Sequence, residues 1–249
     1  MKITTVYFDM GGTLLHYHPP GSDWQAMEKL GGGAVYDTLS ACGHHLPSRE
    51  AVQESWWEGM LALWKSLRDT SKDQMRVMAH LHNMAAQWNI TVSQDDLIAA
   101  EDAYATAIQQ IVRPVEGALK ALQWVREAGF RVGLISNTVW RGKYHQQDLQ
   151  RFGFWPHFEH TIFSADALLW KPDGEVFAEG LAAFDAGPEQ AVYIGDSLFF
   201  DVYGAQQAGW RAIWVEQPTR WMPPGMDVPQ PDAILSDYAT LPTILESLS

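Results

Sequence analysis

Residues 191–209 read AVYIGDSLFFDVYGAQQAG. Ala191–Ile194 is a short apolar run, the pattern of a strand buried on both faces. It breaks at Gly195-Asp196-Ser197. A helical pattern follows over Phe199–Ala208, with a second carboxylate, Asp201, five residues past Asp196. The same grammar recurs along the chain. Ile3–Phe8 (ITTVYF) ends at Asp9 and a glycine pair, and Arg131–Ile135 (RVGLI) ends at Ser136-Asn137. Further strands are expected at Thr161–Phe163, Arg211–Val215 and Asp232–Leu235, with helical patterns over Glu116–Ala128 and Asp173–Phe184. Strands alternating with helices at this spacing predict βαβ units, a parallel sheet and right-handed crossovers.

The stretch 17–112 has no strand candidate. Trp57, Met60, Leu61, Trp64 and Leu67 repeat at helical spacing, as do Val77, Met78, Leu81, Met84, Ala85 and Trp88. Ser71-x-x-Gln74 and Ser93-x-x-Asp96 read as helix starts. Pro19–Pro20 and Pro114 punctuate the ends of the stretch, Gly31–Gly33 reads as a local loop, and Trp221–Pro231 as a Pro-rich surface loop. The chain is therefore expected to be an α/β core, residues 1–16 and 113–249, carrying an inserted helical domain, residues 17–112.

Composition narrows the function. With 47% hydrophobic residues among 249, the chain can build a core. A formal charge of −13 argues against nucleic acid and anionic membranes as partners, since both need clustered Lys or Arg. The insert alone carries 6 basic and 12 acidic residues, so no basic module hides in the total. No segment approaches the roughly 18–20 unbroken apolar residues of a membrane span. Met1–Phe8 reads as a strand rather than a signal peptide, and a single cysteine, Cys42, suits a reducing compartment. A cytoplasmic location is expected. Cys42 itself is expected to be a small buried residue, and the oligomeric state is left open.

Four groups of polar residues stand at predicted strand ends, the edge at which parallel sheets bind ligands. Asp9-Met10-Gly11-Gly12-Thr13 places a carboxylate above a glycine turn, where backbone can approach an anion or a metal. Ser136-Asn137 offers a hydroxyl and backbone N–H groups to an anionic oxygen. Lys171-Pro172-Asp173 offers one positive charge before a helix. Asp196 and Asp201 suit a hard cation such as Mg²⁺.

In order and spacing, FDMGGTL (8–14), LISN (134–137), KPDGEVF (171–177) and GDSLFFDVYGAQQAG (195–209) resemble the haloacid dehalogenase superfamily, most of whose members are Mg²⁺-dependent phosphatases. The resemblance implies a Rossmann-like parallel-sheet core, and makes the insert an α-helical cap. It implies that Asp9 attacks phosphorus as a carboxylate nucleophile. Mg²⁺ would be held by Asp9, the carbonyl of Gly11 and Asp196, with Asp201 in support. Ser136 and Lys171 would bind the phosphoryl group, with Gly12 and Asn137 alongside. Lys171 would also orient Asp9, and Thr13 would brace the loop. The implied substrate is a small phosphorylated metabolite.

The sequence departs from the superfamily pattern at one place. Phosphatases of this superfamily carry a second Asp two residues after the nucleophile, as general acid and base, and here that position is Gly11. Such a group is worth about 10²–10⁴ in rate. Relatives lacking it include 2-haloacid dehalogenases, which use a cap Arg, and phosphonatases, which use a cap Lys; Lys29, Lys65 and Lys72 are available for the second, whereas the first Arg, Arg49, lies well into the insert, which weighs against the first. Retention of both Asp196 and Asp201 weighs against dehalogenation. A phosphate-binding regulatory protein without turnover is the non-enzyme alternative. His16 and His18, at the entry to the insert, could replace the acid but are expected to be exposed linker residues. Trp24, Trp56, Trp57, Trp64 and Trp88 are expected mostly in the core of the insert, and His44, His45, His80 and His82 at its surface.

Overall fold

The computed structural model describes residues 2–66 and 76–248. Contacts divide the chain into two compact units. One holds Met1–His16, Arg113–Asn137 and His145–Ser249; the other holds Tyr17–Val112 and Thr138–Tyr144.

The first unit is built on a parallel sheet. Its strands in chain order are β1 (Thr5–Phe8), β2 (Leu15–His16), β3 (Arg113–Pro114), β4 (Arg131–Ser136), β5 (His160–Phe163), β6 (Ala191–Gly195), β7 (Arg211–Val215) and β8 (Ala233–Leu235). Six of them pair in parallel in the order β5-β4-β1-β6-β7-β8. β2 and β3 form a separate antiparallel pair, Leu15 opposite Pro114 and His16 opposite Arg113. All four residues of β1 and all five of β6 are buried, as their unbroken apolar runs require when helices cover both faces. The helical patterns become Ala118–Glu127 and Gly174–Phe184. The third starts differently: Leu198–Tyr203 winds as a π-helix before Gly204–Gln207 becomes α-helical.

The second unit contains α1 (Trp24–Ala41), α2 (Arg49–Ser66), α3 (Val77–Gln87) and α4 (Gln94–Gln109). Ser93 caps α4, its hydroxyl accepting the Asp96 N–H at 3.1 Å. The Ser71-x-x-Gln74 signal lies outside the described residues. Gly31–Gly33 is not a loop but lies inside α1. A Cβ on Gly31 would stand 2.4 Å from the Tyr104 ring, and one on Gly32 would stand 2.7 Å from Trp56 Cβ. Close approach of α2 and α4 therefore outweighs the low helix propensity of glycine. At the edge of this packing, buried Glu28 accepts hydrogen bonds from the Tyr104 hydroxyl and the Trp24 indole.

Several exposure expectations are corrected. Of the five tryptophans named above, only Trp56 is fully buried; the buried row of α2 is Val52, Trp56, Met60 and Leu63. Apolar residues occupy two adjacent faces of α2, so periodicity alone could not fix its phase. His80 is buried beside the Trp56 ring rather than at the surface. Cys42 is exposed. His16 and His18 are half-buried rather than exposed: His16 stands in β2, and the imidazole of His18 lies 3.3 Å from Glu28.

The buried histidines set a pH dependence. Burial pushes the His80 imidazole down to about 4 and that of His145 down to about 3, from an ordinary value of 6.5. Between these values and 6.5 the unfolded chain binds protons that the folded chain refuses. Stability is therefore complete above 6.5 and is lost as pH falls, with a slope of up to about 1.4 kcal/mol per pH unit for each histidine. Urea unfolding is expected at lower denaturant at pH 5 than at pH 7, and His80→Gln is expected to shrink the difference. An unchanged difference would mean that His80 titrates freely.

Candidate active site

β1 lies between β4 and β6, with Phe8 level with Leu134 on one side and Ile194 on the other. From β1 the chain builds outward through β4 and β5, then crosses over to β6, β7 and β8. The boundary at β1 is therefore a topological switch point, where a crevice opens at the C-terminal ends of the strands. Asp9 is the first residue beyond β1, its N–H bound to the Ile194 carbonyl at 2.8 Å, and Asp196 is the first beyond β6.

Lys171 enters this edge from the opposite half of the sequence and is 3% exposed. Its ammonium lies 2.7 Å from Asp9 Oδ1, 2.6 Å from Asp201 Oδ1 and 2.7 Å from the Tyr193 hydroxyl. Asn137 is spent on the same loop: its side-chain amide pairs with the Lys171 N–H and C=O, both at 2.9 Å. Ser136 ends β4 and is buried. Ser197 caps the π-helix by accepting the Phe200 N–H at 3.1 Å, and Asp201 Oδ2 in turn accepts the Ser197 N–H at 2.8 Å. That wider first turn brings Asp201 inward; π-helical turns are frequent at functional sites.

Carboxylate oxygens of Asp9, Asp196 and Asp201 lie within 4.8 Å of one another. Three hard oxygen donors gathered this closely would suit a hard divalent cation such as Mg²⁺. Electrostatics agrees. Burial pushes the Asp9 carboxyl up to about 6, against the pull of Lys171. Burial, and then the charges of Asp9 and Asp201, push Asp196 well above the usual carboxylate range. Burial alone would lower the Lys171 ammonium, but Asp201 and Asp9 outweigh it and raise it. One ammonium among three carboxylates leaves excess negative charge, which a divalent cation would offset.

The first loop is shaped by its glycines. Gly12 has φ +80°, and a Cβ there would fall 2.2 Å from Asp196 Oδ2, so only glycine lets the loop lie against that carboxylate. At Gly11 nothing lies within 4 Å of where a Cβ would be, so the position has room for a side chain it does not carry. Thr13 is buried, and its carbonyl accepts the Tyr238 hydroxyl.

The model of the haloacid dehalogenase-like hydrolases matches residues 51–215. The chain belongs to that family. Among haloacid dehalogenase-like hydrolases of known structure, it resembles a 2-haloacid dehalogenase from Pseudomonas syringae pv. Tomato. The TM-score is 0.67 at 23% identity, covering 99% of this chain and 100% of that one. It also resembles a phosphatase from Thermococcus onnurineus, with TM-score 0.64 at 23% identity over 98% of each chain. These likenesses speak for the fold, which the family shares between two chemistries. In sequence the chain is 34% identical over 105 residues to the glyceraldehyde 3-phosphate phosphatase of Pyrococcus abyssi, 41% of this chain and 42% of that protein. The chain thus spans less than half the length of that relative.

Two residues of this hydrolase site escaped the sequence reading. Tyr193 is the third partner of Lys171, and its own hydroxyl donates to the Ile135 carbonyl. Tyr238 holds the Thr13 carbonyl from the far end of the chain. The available signal for Tyr193 was a phenol inside an otherwise apolar buried run, since a buried tyrosine hydroxyl needs a partner.

Proposed function

We propose that this hydrolase is a Mg²⁺-dependent phosphatase of small phosphorylated metabolites that works through an aspartyl phosphate on Asp9. The observation that carries the reading is the three-carboxylate cluster beside buried Lys171. A dianionic phosphoryl group cannot approach a carboxylate nucleophile unless positive charge offsets the repulsion, whereas attack on a carbon–halogen bond needs no such set. The relative named as a glyceraldehyde 3-phosphate phosphatase supports the same class.

In this reading Asp9, the Gly11 carbonyl and Asp196 would hold the ion, with Asp201 in support. Bound there, it would supply the positive charge that offsets a phosphoryl dianion. Lys171 takes one oxygen of Asp9, leaving the other to attack phosphorus, and its charge draws the phosphoryl group in. The Asn137 amide fixes the Lys171 loop, and Tyr193 fixes the ammonium from below. Ser136 and the backbone at Gly12 and Asn137 receive the equatorial oxygens, and Thr13 with Tyr238 braces the loop. The helical unit, residues 17–112, serves as the cap, which would govern access and substrate choice.

Rapid mixing with p-nitrophenyl phosphate tests the reading. Nitrophenolate leaves without a proton, so the expected result is a burst stoichiometric with enzyme, followed by slower phosphate release. EDTA should abolish the burst. Mg²⁺ should also raise the melting temperature, by the equivalent of about 2.7 kcal/mol at 100 times its Kd, and Asp196→Asn should remove the shift. A burst that survives EDTA would overturn the metal's role.

A further inference from the structure

We propose that Tyr193 is a positioning residue for the attack on phosphorus. Its hydroxyl, together with the Asn137 amide, fixes Lys171 relative to Ser136, and so sets the rate at which Asp9 is phosphorylated rather than the affinity for substrate. The proposal rests on the phosphatase reading above and deepens it. The juxtaposition that carries it is that both ends of Lys171 are tied to the two residues that flank Ser136.

Tyr193 is the middle residue of β6 and is fully buried. Its ring packs against those of Phe177 and Trp210, with centroids 5.5 and 6.3 Å away, so packing fixes where the hydroxyl points. β1 lies between β6 and β4, and its last pair with β4 is Phe8 opposite Leu134. The next carbonyl of β4, that of Ile135, accepts the Tyr193 hydroxyl at 2.5 Å. This bond sets the direction of the phenol proton and leaves an oxygen lone pair for the Lys171 ammonium, 2.7 Å away. At the other end of the lysine, the Asn137 side chain holds the backbone N–H and C=O, both at 2.9 Å. Ile135 and Asn137 stand on either side of Ser136, the buried last residue of β4.

The third acceptor decides the geometry. Lys171 Nζ lies 2.7 Å from Asp9 Oδ1 and 2.6 Å from Asp201 Oδ1. Two distances alone let the ammonium swing on an arc about the line joining the two oxygens. A third, from a group outside that line, pins it to a point. A further carboxylate would do so at the expense of the positive charge that a phosphoryl group needs, whereas a phenol oxygen accepts the hydrogen bond and adds no charge. With Asp9 Oδ1 held by a pinned ammonium, the other oxygen of Asp9 keeps one direction. Attack depends steeply on such alignment, and a displacement of about 1 Å can cost about 10² in rate.

The test is Tyr193→Phe, which removes one oxygen and keeps the ring. In rapid mixing with p-nitrophenyl phosphate and Mg²⁺, the maximal burst rate per mole of folded protein is expected to fall about 10–100-fold, while the half-saturating substrate concentration stays within about threefold. Urea unfolding without metal gives a second reading that does not depend on activity. The midpoint shift caused by Tyr193→Phe should be at least halved in the Lys171→Met background, where the hydroxyl has lost the ammonium it serves. An unchanged maximal burst rate would overturn the proposal, and so would a raised half-saturating concentration at an unchanged rate, since Tyr193 would then serve binding. Equal midpoint shifts in the two backgrounds would also overturn it, because the hydroxyl would then serve Ile135 alone. A wild-type chain that gives no burst would remove the phosphatase reading and the proposal with it, whereas a wild-type burst that Tyr193→Phe leaves intact would remove the proposal only.

Discussion

Asp9→Asn is expected to abolish the phosphoenzyme and lower turnover on the order of 10⁴-fold or more, the scale on which covalent catalysts lose rate when the nucleophile goes. An amide has no anionic oxygen to attack phosphorus. It keeps nearly the same shape and can still accept from Lys171, which lies 2.7 Å from Asp9 Oδ1. Folding provides an internal control. Asp9 is held above its ordinary range by burial, so at neutral pH its charge is a cost to the metal-free protein, and the neutral variant should be no less stable. Intact mass after acid quench, in wild type and variant, reads the trapped phosphoryl group directly. A variant that turns over within tenfold of wild type would place the nucleophile elsewhere.

Lys171→Met is expected to be the most damaging single change to the fold of this site. It leaves the carboxylates of Asp9 and Asp201, both buried, facing one another without the ammonium 2.7 and 2.6 Å away. Removing one partner of a buried ion cluster costs about 3–5 kcal/mol, because the remaining charges cannot be rehydrated. Urea unfolding reads the loss. Mg²⁺ should recover part of it, since a cation in the same cluster offsets the same charges. Lys171→Arg should not match the wild type, because a planar fork cannot replace a compact ammonium with three acceptors around it. A metal-free Lys171→Met protein as stable as wild type would show that Asp9 and Asp201 do not share their charge with Lys171.

The sequence was legible where the physical rule is local. An unbroken apolar run of four or five residues can be satisfied only by burial on both faces, so β1, β6 and β7 were found close to their observed bounds. A polar residue that ends such a run must sit at the sheet edge, which is why Asp9, Ser136 and Asp196 could be named. The errors share one cause. Gly31–Gly33 was read from propensity, but the neighbouring Tyr104 and Trp56 decide its state. Trp57 was read as a core residue, but the phase of α2 against α1 makes Trp56 the buried one. The burial of His80 and the exposure of Cys42 likewise depend on which neighbours arrive, not on their own flanking residues.

By itself, then, the sequence determined the order of strands and helices, the polar residue at each strand end, and a first loop that carries glycine two residues after Asp9. These follow from chain-local periodicity and from chemistry that each residue brings with it. Only the tertiary structure decided that Lys171 serves Asp9, Asp201 and Tyr193 at once, that Asn137 holds the lysine loop, and that Thr138–Tyr144 packs with the helical unit. Asp9 and Lys171 are 162 residues apart. No local period reaches that far. The parallel register of β1 with β4 and β6, set by burial of whole strands, carries those groups to one edge.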